Sequence, residues 1–220
     1  MFMDEVLPAL GAGIVSALIC NPLDTIRVNY QLGNIVKWNT SYMYRGIQYS
    51  IIGIPTFWSI YFPMYQRLKK ETNAAAAAYI SCCTASTVTT PFWVLRQADQ
   101  CNKKIIVNVG TLYAGILPTY LINLSFTVQI PLYEYMKSKI ENNTFNVFIC
   151  TAVSKTVATC IFYPLDTIRA RLRDGQVGIF SNATNYYRGM SIYILRSLPY
   201  HISVFCTYEY IKNHFIKNLV

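Results

Sequence analysis

The chain has 220 residues, 53% of them apolar and 13% charged, with a formal net charge of +9. Its few charges are swept out of long stretches, which argues against an ordinary water-soluble domain. The acidic start "MFMDEVLPAL" is unlike a basic signal or transit peptide, so no cleavable leader is expected.

In chain order, the segments 6–23, 46–66, 72–95 and 105–133 contain no Asp, Glu, Lys or Arg. Each has at least 18 residues, enough to cross a hydrocarbon core as a helix. Two further apolar segments, 144–165 and 189–208, hold one cation each, Lys155 and Arg196. The predicted fold is therefore an all-α membrane protein with six transmembrane helices. The rival is a soluble helical bundle, which the mean hydropathy of +0.28 keeps open. Seven cysteines without a C-x-x-C pair read as reduced packing residues, so no metal site is expected.

The chain also repeats itself. "PLDTIR" occurs at 22–27 and again at 164–169, 142 residues later, and "PFWVLR" at 91–96 lies near the midpoint. The tripeptides "YRG", "YAG" and "YRG" end at Gly46, Gly115 and Gly189. "YQRLK", "YEYMK" and "YEYIK" then follow from Tyr65, Tyr133 and Tyr208. Three motifs recurring three times in one order predict three tandem two-helix repeats, 1–71, 72–143 and 144–220, with threefold pseudosymmetry. Each proline, Pro22, Pro91 and Pro164, is expected to bend the end of an odd-numbered helix.

This pattern resembles the mitochondrial carrier family over nearly the whole chain. The family motif P-x-[D/E]-x-x-[K/R]-x-[K/R]-x-Q is matched by Pro22, Asp24, Arg27 and Gln31, with Asn29 in place of a cation. Pro164, Asp166, Arg169 and Arg171 match it again, with Arg173 in place of the glutamine. The middle copy has Pro91, Arg96 and Gln100, with Trp93 instead of the acid. From motif proline to Y-x-G glycine there are only 24, 24 and 25 residues, little room for the family's amphipathic matrix helices.

The resemblance implies two gates of ion pairs around a central site, worked by alternating access. At the matrix gate it implies Asp24–Arg96 and Asp166–Arg27, with Trp93 facing Arg169 in a cation–π contact and Gln31 and Gln100 beside them. At the cytoplasmic gate it implies Glu134–Lys212, Glu209–Lys69 and a hydrogen bond between Gln66 and Lys137. Seven residues beyond the Y-x-G glycines lie Gly53, Ile122 and Arg196, the family's level of substrate contacts, with Ile54, Asn123 and Ser197 next to them.

Arg196 is the leading candidate for holding an anion, because a guanidinium suits phosphate. Lys155 lies 11 residues before Asp166 and falls within about 20° of the same helical face. The two would make a two-cation site. Gly46, Gly115 and Gly189, with Arg45 and Arg188, match the family's cardiolipin positions at helix N-termini. Cardiolipin is thus expected as a structural lipid, and no other cofactor.

The loops after the three prolines hold ten Lys/Arg against seven on the other side. This places them inside, in the matrix. Trp93 in the second motif resembles the branch carrying nucleotides and nucleotide-like cofactors. The compact loops also look like viral members of the family, which would imply (deoxy)nucleotide exchange in a host mitochondrion. No H-E-x-x-H, G-x-S-x-G or P-loop points to an enzyme, and no nucleic-acid partner is expected. The expected protein is a monomeric, multi-pass transporter of nucleotides in the mitochondrial inner membrane. A carrier of amino acids or carboxylates and a non-transporting structural membrane protein are the alternatives.

Overall fold

The computed structural model describes residues 2–140, 144–176 and 183–211. Every regular element among them is helical. The long helices are α1 (Phe2–Leu32), α3 (Ile47–Leu68), α4 (Ala74–Gln100), α8 (Thr144–Arg173) and α9 (Met190–Ile211). A further helix is broken at Leu124 into α6 (Ile116–Asn123) and α7 (Ser125–Lys139). Among the described residues the loops hold short helical pieces: α2 (Thr40–Met43), α5 (Val109–Leu112) and a 3₁₀ turn at Ala183–Tyr187. Between the end of the proline-bearing helix and the glycine, the first two loops each accommodate one short helical turn.

Consecutive long helices are neighbours, and α9 packs extensively on α1, so the helices close into a ring. The interior of that ring is small and polar. Ala77, Ala85, Ala158, Cys20, Ser16, Ser81, Ser154 and Thr89 are at most 2% exposed, as are Asn21, Thr25, Asn29 and Gln31. Small residues let the backbones approach closely. The large aliphatics point outward instead: Leu117 is 68% exposed, Ile161 57% and Leu195 60%. A chain folding in water alone would place these the other way round.

Two helical stretches, Val109–Lys139 and Phe145–Arg173, are long and apolar enough to cross a membrane by length and composition.

The sequence expectation puts each proline near the end of its helix. The helices instead run on through Pro22, Pro91 and Pro164 to Leu32, Gln100 and Arg173. Each ring nitrogen lacks the N–H that would bond the carbonyl one turn back. The extended helix carries the motif's charged residues past that point, so they lie on regular helical faces.

The Y-x-G glycines have a steric cause. Gly46, Gly115 and Gly189 have φ of 73°, 76° and 86°, in the left-handed region that favours glycine. A Cβ at Gly46 would come within 2.6 Å of the Arg96 carbonyl oxygen. One at Gly115 would lie 3.2 Å from that of Arg169, and one at Gly189 3.5 Å from that of Arg27. Each glycine therefore lies against the motif arginine of the next repeat, and the third closes back on the first.

The threonines of the twin hexapeptides fasten the same region. Thr25 donates to the Met43 carbonyl at 3.0 Å, and Thr167 to the Tyr186 carbonyl at 2.7 Å. Both acceptors lie three residues before a Y-x-G glycine. The middle copy has Val94 there, 1% exposed, which fills the position without a bond.

Candidate functional site

A cavity of about 390 Å³ lies inside the ring. Its walls include Ile54, Phe57, Trp58, Trp93, Asn123 and Tyr200. At the loop end it meets Asp24, Arg27, Arg96, Asp166, Arg169 and Arg173. The three odd-numbered spans α1, α4 and α8 supply all of these charges, because their motifs follow the prolines on inward-facing turns.

At this end the charges are joined. Arg96 donates to Asp24 at 3.0 Å and to the Asn21 side-chain oxygen at 3.0 Å. Asp166 accepts from Arg27. It also takes a hydrogen bond from Gln31 at 3.1 Å. Arg27 lies over the Tyr193 ring, 4.7 Å from its centroid. Outside this layer, Lys103 pairs with Asp174 at 2.7 Å and Gln48 donates to Asp99 at 2.8 Å. Gln97 donates to the Ala170 carbonyl at 2.5 Å, and Asn29 to that of Gln100 at 3.0 Å. The loop end is closed.

Several sequence expectations fall differently. Trp93 does not face Arg169; its indole sits 5.8 Å from the Arg96 guanidinium of its own helix. Arg169 turns to Asp166, one helical turn away, where a full charge outcompetes a ring face. Arg196 bonds Asp24 at 3.1 Å and lies beside the rings of Tyr193 and Tyr200.

Neither Lys155 nor Arg196 is among the residues lining this cavity; the Lys155 ammonium lies 4.9 Å from the Phe126 centroid.

Of the other expected contacts, Ile54 and Asn123 line the cavity, and Asn123 donates to Ser86 at 3.2 Å. Gly53, Ile122, Ser197 and Arg196 are not in the lining, although Arg196 reaches it through Asp24. Gly53 instead makes room for Trp93, whose ring would be 3.4 Å from any Cβ there. Ser197 is spent on the Ile194 carbonyl of its own helix at 2.7 Å. Gln100 lines the cavity with a buried side-chain nitrogen that has no partner.

The opposite end differs. Gln66, Lys69, Glu134 and Lys137 are exposed, and no hydrogen bond joins Gln66 to Lys137. Lys69 and Lys137 lie beside the tyrosines of their own motifs, Tyr65 and Tyr133, at 5.7 and 5.8 Å. The side chain of Glu209 and all of Lys212 lie outside the described residues. At the glycine motifs, Arg45 lies over Tyr42 at 5.4 Å and Arg188 over Tyr30 at 4.8 Å. Neither Gly46 nor Gly115 provides a side-chain cap to the helix it opens.

Sequence reasoning missed the sharing of both carboxylates. Asp24 serves Arg96 and Arg196, and Asp166 serves Arg27 and Arg169. Four guanidiniums therefore meet two carboxylates. Arg173 adds a further cation to the lining, and the one visible signal was its place where the other motifs carry Gln31 and Gln100.

No family model matches the chain. It is 25% identical, over 97% of its length and 87% of the relative's, to "Mitochondrial substrate carrier family protein W" of Dictyostelium discoideum. The chain is similar to mitochondrial carriers. It is also 28% identical to "Nicotinamide adenine dinucleotide transporter 2, mitochondrial" of Arabidopsis thaliana, over 93% of this chain and 77% of that protein. To "Solute carrier family 25 member 36" of Mus musculus it is 23% identical, over 76% of this chain and 72% of the relative. These relatives agree with the family resemblance carried by the repeated motifs. They come from cellular organisms and lend no support to the viral one.

Proposed function

We propose that this carrier-type chain exchanges nucleotides across the mitochondrial inner membrane by alternating access. The observation that carries the proposal is the charge around the cavity: Arg27, Arg96, Arg169 and Arg173 line it with only Asp24 and Asp166, and Arg196 joins from behind through Asp24. Buried cations in excess of carboxylates favour an anionic occupant. The cavity falls in the usual size range of small-molecule sites, roughly 300–1,000 Å³, and the walls formed by Trp58, Trp93, Phe57 and Tyr200 suit a planar base. The names of the relatives, among them nicotinamide adenine dinucleotide transporters, point to nucleotides and dinucleotides over amino acids or carboxylates.

In this scheme the six spans form three repeats, with the proline loops facing the matrix. Asp24, Arg27, Arg96, Asp166 and Arg169 hold the matrix gate, while Gln66, Lys69, Glu134, Lys137, Glu209 and Lys212 form the cytoplasmic one. Arg196 leaves Asp24 for a substrate phosphate when the gate opens. A substrate shifts the equilibrium only by its difference in affinity between the two states. The shared aspartates supply such a difference, since a phosphate can replace them as partner for one arginine each. Lipid phosphates bind at the helix starts marked by Gly46, Gly115 and Gly189, near Arg45 and Arg188. One chain suffices for this cycle.

A thermal-shift screen of the purified chain tests the substrate class. Nucleotides or dinucleotides should raise Tm, while amino acids and keto acids should not. Stabilisation by carboxylates alone would overturn the assignment.

A further inference from the structure

The proposed cycle uses Arg27, Arg96, Arg169 and Arg196 but leaves Arg173 without a task. Arg173 lies one helical turn beyond Arg169 on α8, so both project from one face, and both line the cavity. Its setting differs from that of Arg171. Both Arg171 and Arg173 have a buried Nε without a partner and make no ion pair among the described residues, but Arg171 lies 5.6 Å from the Tyr186 ring, outside the lining, whereas Arg173 lines the cavity.

The orphaned polar atoms of the lining share one character. Among the described residues they are Arg27 Nε, Arg96 Nε, Gln100 Nε2 and Arg173 Nε, and all four are donors. All four are sealed from the cavity in this arrangement, so a ligand meets them only when these side chains turn toward it, and it must then be rich in acceptors and poor in donors. A phosphate chain has that character, and guanidinium forks fit its oxygens two at a time. The equivalent positions in the other repeats hold Gln31, bonded to Asp166 and Tyr163, and Gln100. At this level, then, α8 alone presents a full charge.

We propose that Arg169 and Arg173 form a subsite for the outermost phosphate of the substrate, so that the chain favours di- and triphosphates over monophosphates. This rests on the nucleotide assignment and adds to it a phosphate-number preference set by one residue. Gly115 supports the geometry: its missing side chain leaves the Arg169 and Arg173 stems free to lie side by side, 3.2 and 3.5 Å from where a Cβ would be.

The test uses the full chain reconstituted in liposomes, with R173Q, R173K and R171Q. Glutamine at 173 restores the residue type of the other two repeats, so the variant is suited to the fold. Adenosine and thymidine tri-, di- and monophosphates are offered in turn as exchange substrates. R173Q should raise KM for triphosphates about tenfold or more and leave monophosphates within about twofold. R173K should fall between R173Q and the parent, and R171Q should leave the series unchanged.

A second readout needs no transport: inorganic tripolyphosphate should raise Tm of the parent and not of R173Q. Equal KM changes across the phosphate series, or tripolyphosphate stabilisation that survives in R173Q, would overturn the subsite. Arg173-dependent stabilisation without any nucleotide exchange would support the subsite and overturn the transport assignment.

Discussion

The two ends of the helix ring are built from motifs of the same kind, and their described residues differ in burial. At the loop end, Asp24 and Asp166 are 8% and 7% exposed and each holds two arginines. At the other end, Gln66, Lys69, Glu134 and Lys137 are exposed, and the two lysines rest on tyrosines of their own helices. The difference shows what closing an end requires. Ion pairs there are only one part. Glycines that admit a neighbouring backbone, and threonines that bind loop carbonyls, bring the elements within reach first. A charged pair then adds a bond that solvent or substrate can exchange.

The largest expected effect comes from removing a shared carboxylate. Asp166→Asn leaves Arg27 and Arg169 without their common counter-charge. Breaking a buried pair costs about 3–5 kcal/mol, roughly 10 °C in Tm at about 2–4 °C per kcal/mol. Glu134→Gln, at an exposed carboxylate of the other end, should change Tm by less than about 1 °C. Equal shifts in the two variants, measured by thermal unfolding in lipid-supplemented detergent, would erase the distinction between the ends.

Next comes backbone approach. Gly46→Ala combines a left-handed φ, worth about 1–2 kcal/mol for a side chain, with a 2.6 Å contact to the Arg96 carbonyl. Gly175→Ala has φ of 70° and nothing within 4 Å, so it meets the first cost alone. Gly46→Ala should therefore destabilise more than Gly175→Ala in the same unfolding assay. A reversed order would remove the close-approach role of the motif glycine.

How much of this was legible in the sequence depended on whether the repeats could be compared with one another. The pairs Asp24–Arg96 and Asp166–Arg27 are what the family resemblance of the repeated motifs implies, and both contacts are present. The glycines were legible as a beat, although their cause, a carbonyl of the next repeat, needed coordinates. Contacts that break the repeat were hidden. Arg196 reaches Asp24 across 172 residues, and nothing in local spacing encodes that. Arg169 had a nearer carboxylate on its own helix than the one-to-one pairing scheme allowed. Lys155 was singled out by helical-face arithmetic, whereas its aromatic neighbour Phe126 lies on another span and no local spacing names it.

A smaller effect separates the repeats themselves. Thr25→Val and Thr167→Val each remove one hydrogen bond to a loop carbonyl, worth about 1 kcal/mol, and the middle repeat already has Val94 there. Each substitution should lower Tm by roughly 2–4 °C, and Val94→Thr should not lower it by as much. The smallest signal is chemical. Burial, with the Asp174 charge nearby, pushes the Cys101 thiol at the closed end up to about 12. At pH 8 about one thiol in 10⁴ would be ionised there. Alkylation of Cys101 should be slow at rest and rise when substrate drives the loop end open.

The most direct test of the account is nucleotide exchange by the full chain in liposomes preloaded with unlabelled nucleotide. The account predicts uptake of labelled nucleotide that depends on internal nucleotide and falls at least tenfold in Arg196→Ala, with no uptake of amino acids or keto acids. Uptake of carboxylates in place of nucleotides, or no exchange of any nucleotide by the intact chain, would contradict it.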